Sequence, residues 1–228
     1  MRSSVRVLSL ALLLTAACTA FGAGGGPMPT PSDQKPIPKS PQTLALNAYN
    51  SGVKLVEKGD DLIADAARQT DERKKQKAHA KAEQAYTNAM SKFERAVEYQ
   101  STMYAAWNYM GYSQRKLGHY QEALAAYDRA LSLKPGYPEA IEYRGHAYLG
   151  LDRLSEAKEA YLTLFAGNRK LAASLLTAMQ AWVGEHRGNS AGVDGPMLDS
   201  FASWVNERSV IAGKTVGLTR EGAASAWK

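Results

Sequence analysis

Shifting the chain by 34 residues lays Ala106 on Ala140, Tyr109 on Tyr143, Gly111 on Gly145, Leu117 on Leu151 and Glu122 on Glu156. The same shift matches Ala123 with Ala157, Ala126 with Ala160 and Tyr127 with Tyr161. A period of that length, with small and large residues alternating inside it, predicts pairs of helices stacked as a solenoid. Such an array buries its apolar faces between neighbouring pairs, so about three pairs are needed for a stable stack. It presents surfaces to other molecules and has no built-in chemistry.

Helical spacing extends well upstream of the repeat. Leu44, Ala48, Gly52, Leu55, Gly59, Leu62 and Ala66 recur every three or four residues and fall on one helix face. After Thr70 and Asp71, residue types that cap helix starts, a second series runs Ala78, Ala82, Ala85, Ala89, Phe93 and Ala96. Alanine on both partners permits close approach. Residues 42–69 and 71–98 are therefore predicted to form one long antiparallel helical hairpin.

Residues 104–137 resemble a tetratricopeptide repeat. Trp107, Met110, Gly111, Gly118, Tyr120, Ala123, Tyr127, Ala130, Leu131 and Pro135 occupy that family's pattern positions. Residues 138–171 resemble a second copy through Ile141, Gly145, Tyr148, Leu154, Ala157, Tyr161 and Leu164, with Arg144 where a large apolar residue is usual and no closing proline. The segment 42–103 resembles an elongated third copy, with Gly52 in the glycine position and Ala89, Phe93 and Ala96 in its second helix. Gly52 and Ala89 stand 25 residues farther apart than the 12 residues of the regular copies. The insertion lengthens each helix by about 12 residues, or about 18 Å. The expected fold is all-α: a helical-hairpin solenoid of about three repeats over 42–171, the first elongated, followed by capping helices and a tail over 172–228. Small residues at Gly111 and Ala123 let the two helices of a repeat cross, while Trp107 and Tyr127 fill the space beside the crossing.

The N-terminal segment differs in character. Arg2 and Arg6, the apolar run Val7 to Ala17 and the small residues after it read as an export signal over 1–20. The run is shorter than the roughly 20 residues that span a bilayer. Cys18, the only cysteine, ends the stretch Leu14-Thr15-Ala16-Ala17-Cys18, which resembles a bacterial lipobox with Thr15 where leucine is preferred. Two readings stay open: lipidation of Cys18, or cleavage after Ala20 or Gly22 that removes it. Residues 21–41 hold Pro27, Pro29, Pro31, Pro36, Pro38 and Pro41 among glycines, the composition of an extended linker. Without Arg2 and Arg6 the net charge falls from +6 to +4, with 26 basic and 22 acidic residues. That excess is small and scattered, and no nucleic-acid partner is expected.

Beyond the repeats, Leu171, Leu175, Met179 and Trp182 form an amphipathic stripe after a capping Asn168. Gly188–Gly195 reads as a loop. Pro196 suits a helix start, with Leu198, Phe201, Trp204 and Val205 on its inner face. Residues 212–228 carry no readable pattern, and Trp227 either docks or ends the chain.

In the family that the repeats resemble, the first helix of each repeat lines a concave groove. The resemblance places Tyr49, Asn108, Tyr109, Tyr112, Arg115, Lys116, Glu142, Tyr143 and His146 there. Tyrosine suits recognition because it joins a large apolar body to a polar tip; each of these tyrosines has packing between helices as its other reading. Some family members grip C-terminal carboxylates through a clamp of lysine, asparagine and arginine. Tyr49, Val53, Tyr109, Glu139 and Tyr143 hold the corresponding positions here, so that mode of binding is not expected. His79, His119, His146 and His186 lack metal-ligand spacing. No Gly-x-Ser-x-Gly motif occurs, and Gly22–Gly26 lacks the strand and helix of a phosphate loop. No enzyme, metal or cofactor is expected.

The sequence therefore predicts an exported scaffold that binds another protein of the bacterial cell envelope, at the membrane if Cys18 carries lipid. Arg68, Arg73, Lys74, Lys75, Lys77 and Lys81 at the tip of the long hairpin form either a second contact or a solvated helix end. A module that stacks cell-wall glycan on the tyrosines is the alternative.

Overall fold

The computed structural model describes residues 39–188 and 194–225. The expected export segment, Cys18, the linker up to residue 38, residues 189–193 of the expected loop, and Trp227 lie outside the described residues. Among the described residues eight helices follow in order: α1 (Pro41–Arg68), α2 (Glu72–Tyr99), α3 (Tyr104–Lys116), α4 (Tyr120–Leu133), α5 (Pro138–Leu149), α6 (Leu154–Gly167), α7 (Arg169–Gly188) and α8 (Gly195–Ser225). There is no strand among the described residues. The all-helical hairpin architecture is the one that the repeat predicts.

Local chemistry sets the helix ends. The Ser40 hydroxyl accepts from the Thr43 backbone N–H at 3.2 Å, and Pro41 needs no donor at the first position. The expected linker thus gives up its last residue to α1. Asp71 caps α2, accepting from Arg73 and Lys74 backbone N–H groups at 2.9 and 3.2 Å. Gly118 takes a left-handed turn at φ 81°, and Asp152, one repeat later, takes the same region at φ 55°. Aspartate tolerates that region better than most side chains.

The elongated hairpin is one crossing made twice. A Cβ on Gly52 would stand 2.6 Å from the Phe93 ring, and one on Gly59 would stand 2.6 Å from the Tyr86 ring. Gly52 to Gly59 is a step of seven residues, as is Phe93 back to Tyr86. Seven residues are close to two helical turns, so each ring drops onto a glycine on the same seam. Ala45, Ala66, Ala82, Ala85, Ala89 and Ala96 are buried along the hairpin. With 28 residues in each helix, the arm is about 42 Å long.

In the next hairpin a Cβ on Gly111 would stand 2.7 Å from the Tyr127 ring and 3.0 Å from the Ala123 carbonyl oxygen. Trp107 lies beside it, donating its indole N–H to the Ser101 carbonyl at 2.9 Å. The third hairpin varies the theme. The atoms nearest a Cβ on Gly145 belong to Leu175 of α7, and Tyr161 lies instead against Phe165 and Trp204 at 5.5 and 5.4 Å. Arg144, out of pattern in sequence, pairs with Asp128 at 2.7 Å.

First helices pack on first helices: α1 on α3, α3 on α5 and α5 on α7. No comparable packing joins α2 to α4 or α4 to α6. The hairpins therefore splay on the second-helix side, and the stack curves with its first helices inside. Asn168 caps α7 as expected, accepting from the Leu171 backbone N–H at 3.1 Å. Leu175, Met179 and Trp182 of α7 are buried with Leu198, Phe201 and Val205 of α8. Each such side chain contributes about 1.5–3 kcal/mol, which closes the apolar end of the stack. Ala212 still packs on this core, and the helix continues from it to Ser225, where the sequence shows no pattern.

Candidate functional site

A run of aromatic rings crosses the inner side of the first three hairpins. Tyr49 of α1 meets Tyr109 of α3 edge-on at 5.8 Å, and Phe93 stacks on Tyr109 at 5.5 Å. Tyr109 and Tyr112 lie 6.3 Å apart, and Tyr112 meets Tyr143 of α5 at 5.0 Å. Spacings of 4.5–7 Å suit edge and offset contacts between rings. Tyr49, Tyr109, Tyr112 and Tyr143 remain partly exposed. One side of each ring is held by the fold and the rest is open to a ligand.

Asp60 anchors this ladder to the long hairpin. Its carboxylate accepts from the Tyr86 hydroxyl at 2.7 Å, from the Tyr112 hydroxyl at 2.8 and 2.9 Å, and from Lys116 Nζ at 3.1 Å. Three helices meet on one acid, and charged hydrogen bonds of this kind contribute more than neutral ones. Asp60 is the residue that sequence reasoning misses. It falls in the insertion, where the repeat pattern has no counterpart. A signal does exist: it extends the Val53 and Val56 face by four residues, so an acid stands on an otherwise apolar stripe.

The expected contact residues separate into three groups. Tyr49, Tyr109, Tyr112 and Tyr143 form the ladder, and Lys116 is committed to Asp60. Arg115 lies over the rings of Tyr112 and Tyr143, its guanidinium carbon 5.0 and 5.7 Å from their centres. Asn108 and Glu142 are corrections: only 1% and 5% exposed, they lie beneath the surface rather than on it. Neighbouring side chains cover Glu142, which lies against His146 and Ser174. Glu142 has the imidazole of His146 at 3.8 Å, which leaves His146 partly covered as well.

Electrostatics report the same enclosure. Burial, with Tyr109 and Tyr104 nearby, pushes Tyr49 up to about 12. Burial and the charge of Glu142 push Tyr143 up to about 12. Tyr109 is raised by burial and by Glu57, Asp60 and Glu139. Burial and Asp60 raise Tyr86 and Tyr112, with Arg115 opposing. Burial and the neighbouring cations Arg115 and Lys116 push His146 down, against the pull of Glu142. Burial would raise Glu142, but His146 and Ser174 beside it hold its carboxyl below the usual range. The site is a set of neutral phenols with the Lys116–Asp60 ion pair and, at Arg115, a guanidinium that has no carboxylate partner among the described residues, suited to stacking, hydrogen bonding and pairing with an anion.

At the tip of the long hairpin, Arg68 pairs with Asp65, and Lys75 with Glu72 at 3.5 Å. Arg73, Lys74, Lys77 and Lys81 are exposed there. Among the described residues no helix is long and apolar enough to cross a membrane.

The tetratricopeptide repeat family model matches residues 104–137. No curated protein matches the chain. Among solved structures, the second TPR domain of human RPAP3, in complex with an HSP70 peptide, is similar at 20% identity, covering 60% of this chain and 96% of its own, with a TM-score of 0.45. The TPR2B domain of yeast Sti1, in a pHsp70 complex, is similar at 13% identity over 73% of this chain and 98% of its own, with a TM-score of 0.39. The Arabidopsis OM64 TPR domain is similar at 17% identity over 60% of this chain and 98% of its own, with a TM-score of 0.41. Residues 104–137 are a tetratricopeptide repeat, set in an array of similar helical hairpins.

Proposed function

We propose that this chain is a non-enzymatic scaffold that holds an extended segment of a partner protein against the tyrosine ladder inside the curve of the array. One observation carries this reading: Tyr49, Tyr109, Tyr112 and Tyr143 join three hairpins into one partly exposed aromatic surface. Rings already immobilised by packing lose little freedom when a partner stacks on them. The chaperone peptides held by the RPAP3 and Sti1 domains are not the expected ligands here, because Tyr49, Val53, Tyr109, Glu139 and Tyr143 stand at the clamp positions. The positive start, apolar run and small residues of 1–20 support export to the bacterial cell envelope. Cys18 is the proposed lipid-anchor site, and the partner is accordingly an envelope protein.

The double variant Tyr49→Ser and Tyr143→Ser tests the groove while leaving the Asp60 cluster intact. Crosslinking in envelope extract is expected to capture a protein partner with the parent chain and about tenfold less with the variant, both showing the same helical content by circular dichroism. Equal capture rejects the groove. Sedimentation with protein-stripped wall polymer, lost in the double variant, would replace the peptide reading with the glycan one. Fractionation of Cys18→Ser is expected to move the protein from the membrane to the soluble fraction; an unchanged distribution rejects the anchor.

A further inference from the structure

Three arginines are partly buried among the described residues: Arg115, Arg144 and Arg208. Arg144 pairs with Asp128 at 2.7 Å and Arg208 with Glu207 at 3.2 Å. Arg115 makes no ion pair among the described residues; the Nε atoms of all three are buried without a partner, and Arg115 has the buried Tyr127 hydroxyl as its hydrogen-bonding neighbour. A partly buried guanidinium with no counter-ion gains by pairing with a ligand anion.

What holds Arg115 in place is aromatic. Its guanidinium lies 5.0 Å from the Tyr112 ring centre and 5.7 Å from that of Tyr143, within the range of a cation–π contact. Both rings are themselves fixed, Tyr112 by Asp60 and by Tyr143. With Nε covered, the two Nη nitrogens are the donors left for a ligand. They form the planar end-on fork that a carboxylate matches with two parallel bonds. The neighbouring charges do not satisfy it. Lys116 and Asp60 neutralise each other at 3.1 Å. Glu142, whose field reaches Arg115, is buried with His146 at 3.8 Å.

We propose that Arg115 is the anion-binding residue of the groove and takes a carboxylate of an acidic partner peptide over the Tyr112 and Tyr143 rings. This rests on the groove reading above and adds the chemistry that the partner must bring. It differs from the family's two-carboxylate clamp, whose positions here hold tyrosine, valine and glutamate. The site is a single carboxylate seat, one turn beyond Tyr112 on α3, with aromatic surface along the rest of the ladder for the apolar part of the peptide.

The test titrates the full chain with two pools of short peptides alike except that one carries Asp and Glu where the other carries Asn and Gln. Burial of Nε shields its proton from exchange, so the Arg115 side chain supplies its own NMR signal. The acidic pool is expected to move that signal and to bind about tenfold more tightly than the amide pool. Arg115→Gln is expected to abolish the preference between the pools, and Arg115→Lys to restore part of it. Equal binding of the two pools by the parent chain, a comparison that needs no variant, overturns the carboxylate seat but leaves the groove standing. So does a preference that survives in Arg115→Gln. If neither pool moves the ladder tyrosines, the groove itself fails, and with it this proposal. A response confined to soluble wall-glycan fragments overturns both in favour of the glycan reading.

Discussion

Gly111→Val is expected to destabilise the protein by about 3 kcal/mol in urea unfolding, whereas Gly184→Val changes it by no more than about 0.5 kcal/mol. Both glycines lie inside helices, so backbone propensity treats them alike, and valine is modestly better than glycine in a helix. Their surroundings differ. Even a single Cβ at position 111 would stand 2.7 Å from the Tyr127 ring and 3.0 Å from the Ala123 carbonyl oxygen. Tyr127 is fully buried and has no free direction to turn. The carbonyl belongs to the α4 backbone, so relief requires α3 and α4 to move apart. Nothing stands within 4 Å of a Cβ at Gly184. Overpacking in a closed site costs about 1–3 kcal/mol, more when backbone must shift. A loss at position 111 below about 1 kcal/mol would mean that the crossing is looser than these contacts require.

That crossing also explains which parts of the molecule are legible from sequence. Gly111, Ala123 and Tyr127 are specified by contact with each other, so spacing alone reveals them, and the same logic exposes Gly52 with Phe93 in the long hairpin. The second hairpin glycine is plain only afterwards: Gly59 meets Tyr86 two turns farther out, and that repetition inside the insertion has no counterpart in the regular copies. At Gly145 the identical residue has a different neighbour, since Leu175 of the capping helix fills the space nearest it. Repetition predicts a position's size and not which element occupies the space beside it. The site obeys the same limit. The tyrosines on α3 and α5 reach the ladder as the repeat implies, whereas Asn108 and Glu142 share the helices but are buried. Burial there depends on neighbouring side chains that a periodic pattern does not describe. Asp60 is the opposite case, a residue outside any repeat position whose importance comes from Tyr86, Tyr112 and Lys116 converging on it.

Raising the pH through the phenol range is expected to unfold the chain cooperatively rather than to ionise the groove in place. Tyr49, Tyr86, Tyr109, Tyr112, Tyr127, Tyr137, Tyr143 and Tyr161 all have pKa values above the ordinary 10.0, each with burial as the largest cause. An acid whose pKa rises on folding binds its proton more tightly in the folded chain. Stability from that source is fully present below pH 10.0, the unfolded value, and is lost as pH climbs toward the folded values, about 12 for Tyr49 and Tyr143. Each further ionisation then favours the unfolded chain. Tyrosinate absorbance of the parent should therefore lag that of the same chain in urea, and these phenols should ionise in step with loss of helical circular dichroism. Freely solvated groove tyrosines would give the opposite record, with Tyr49 and Tyr143 ionising near pH 10 while the helices stay intact. That outcome would detach the ladder from the fold. The rings would then be flexible surface residues, and the stacking surface on which peptide capture depends would not be organised before the partner arrives.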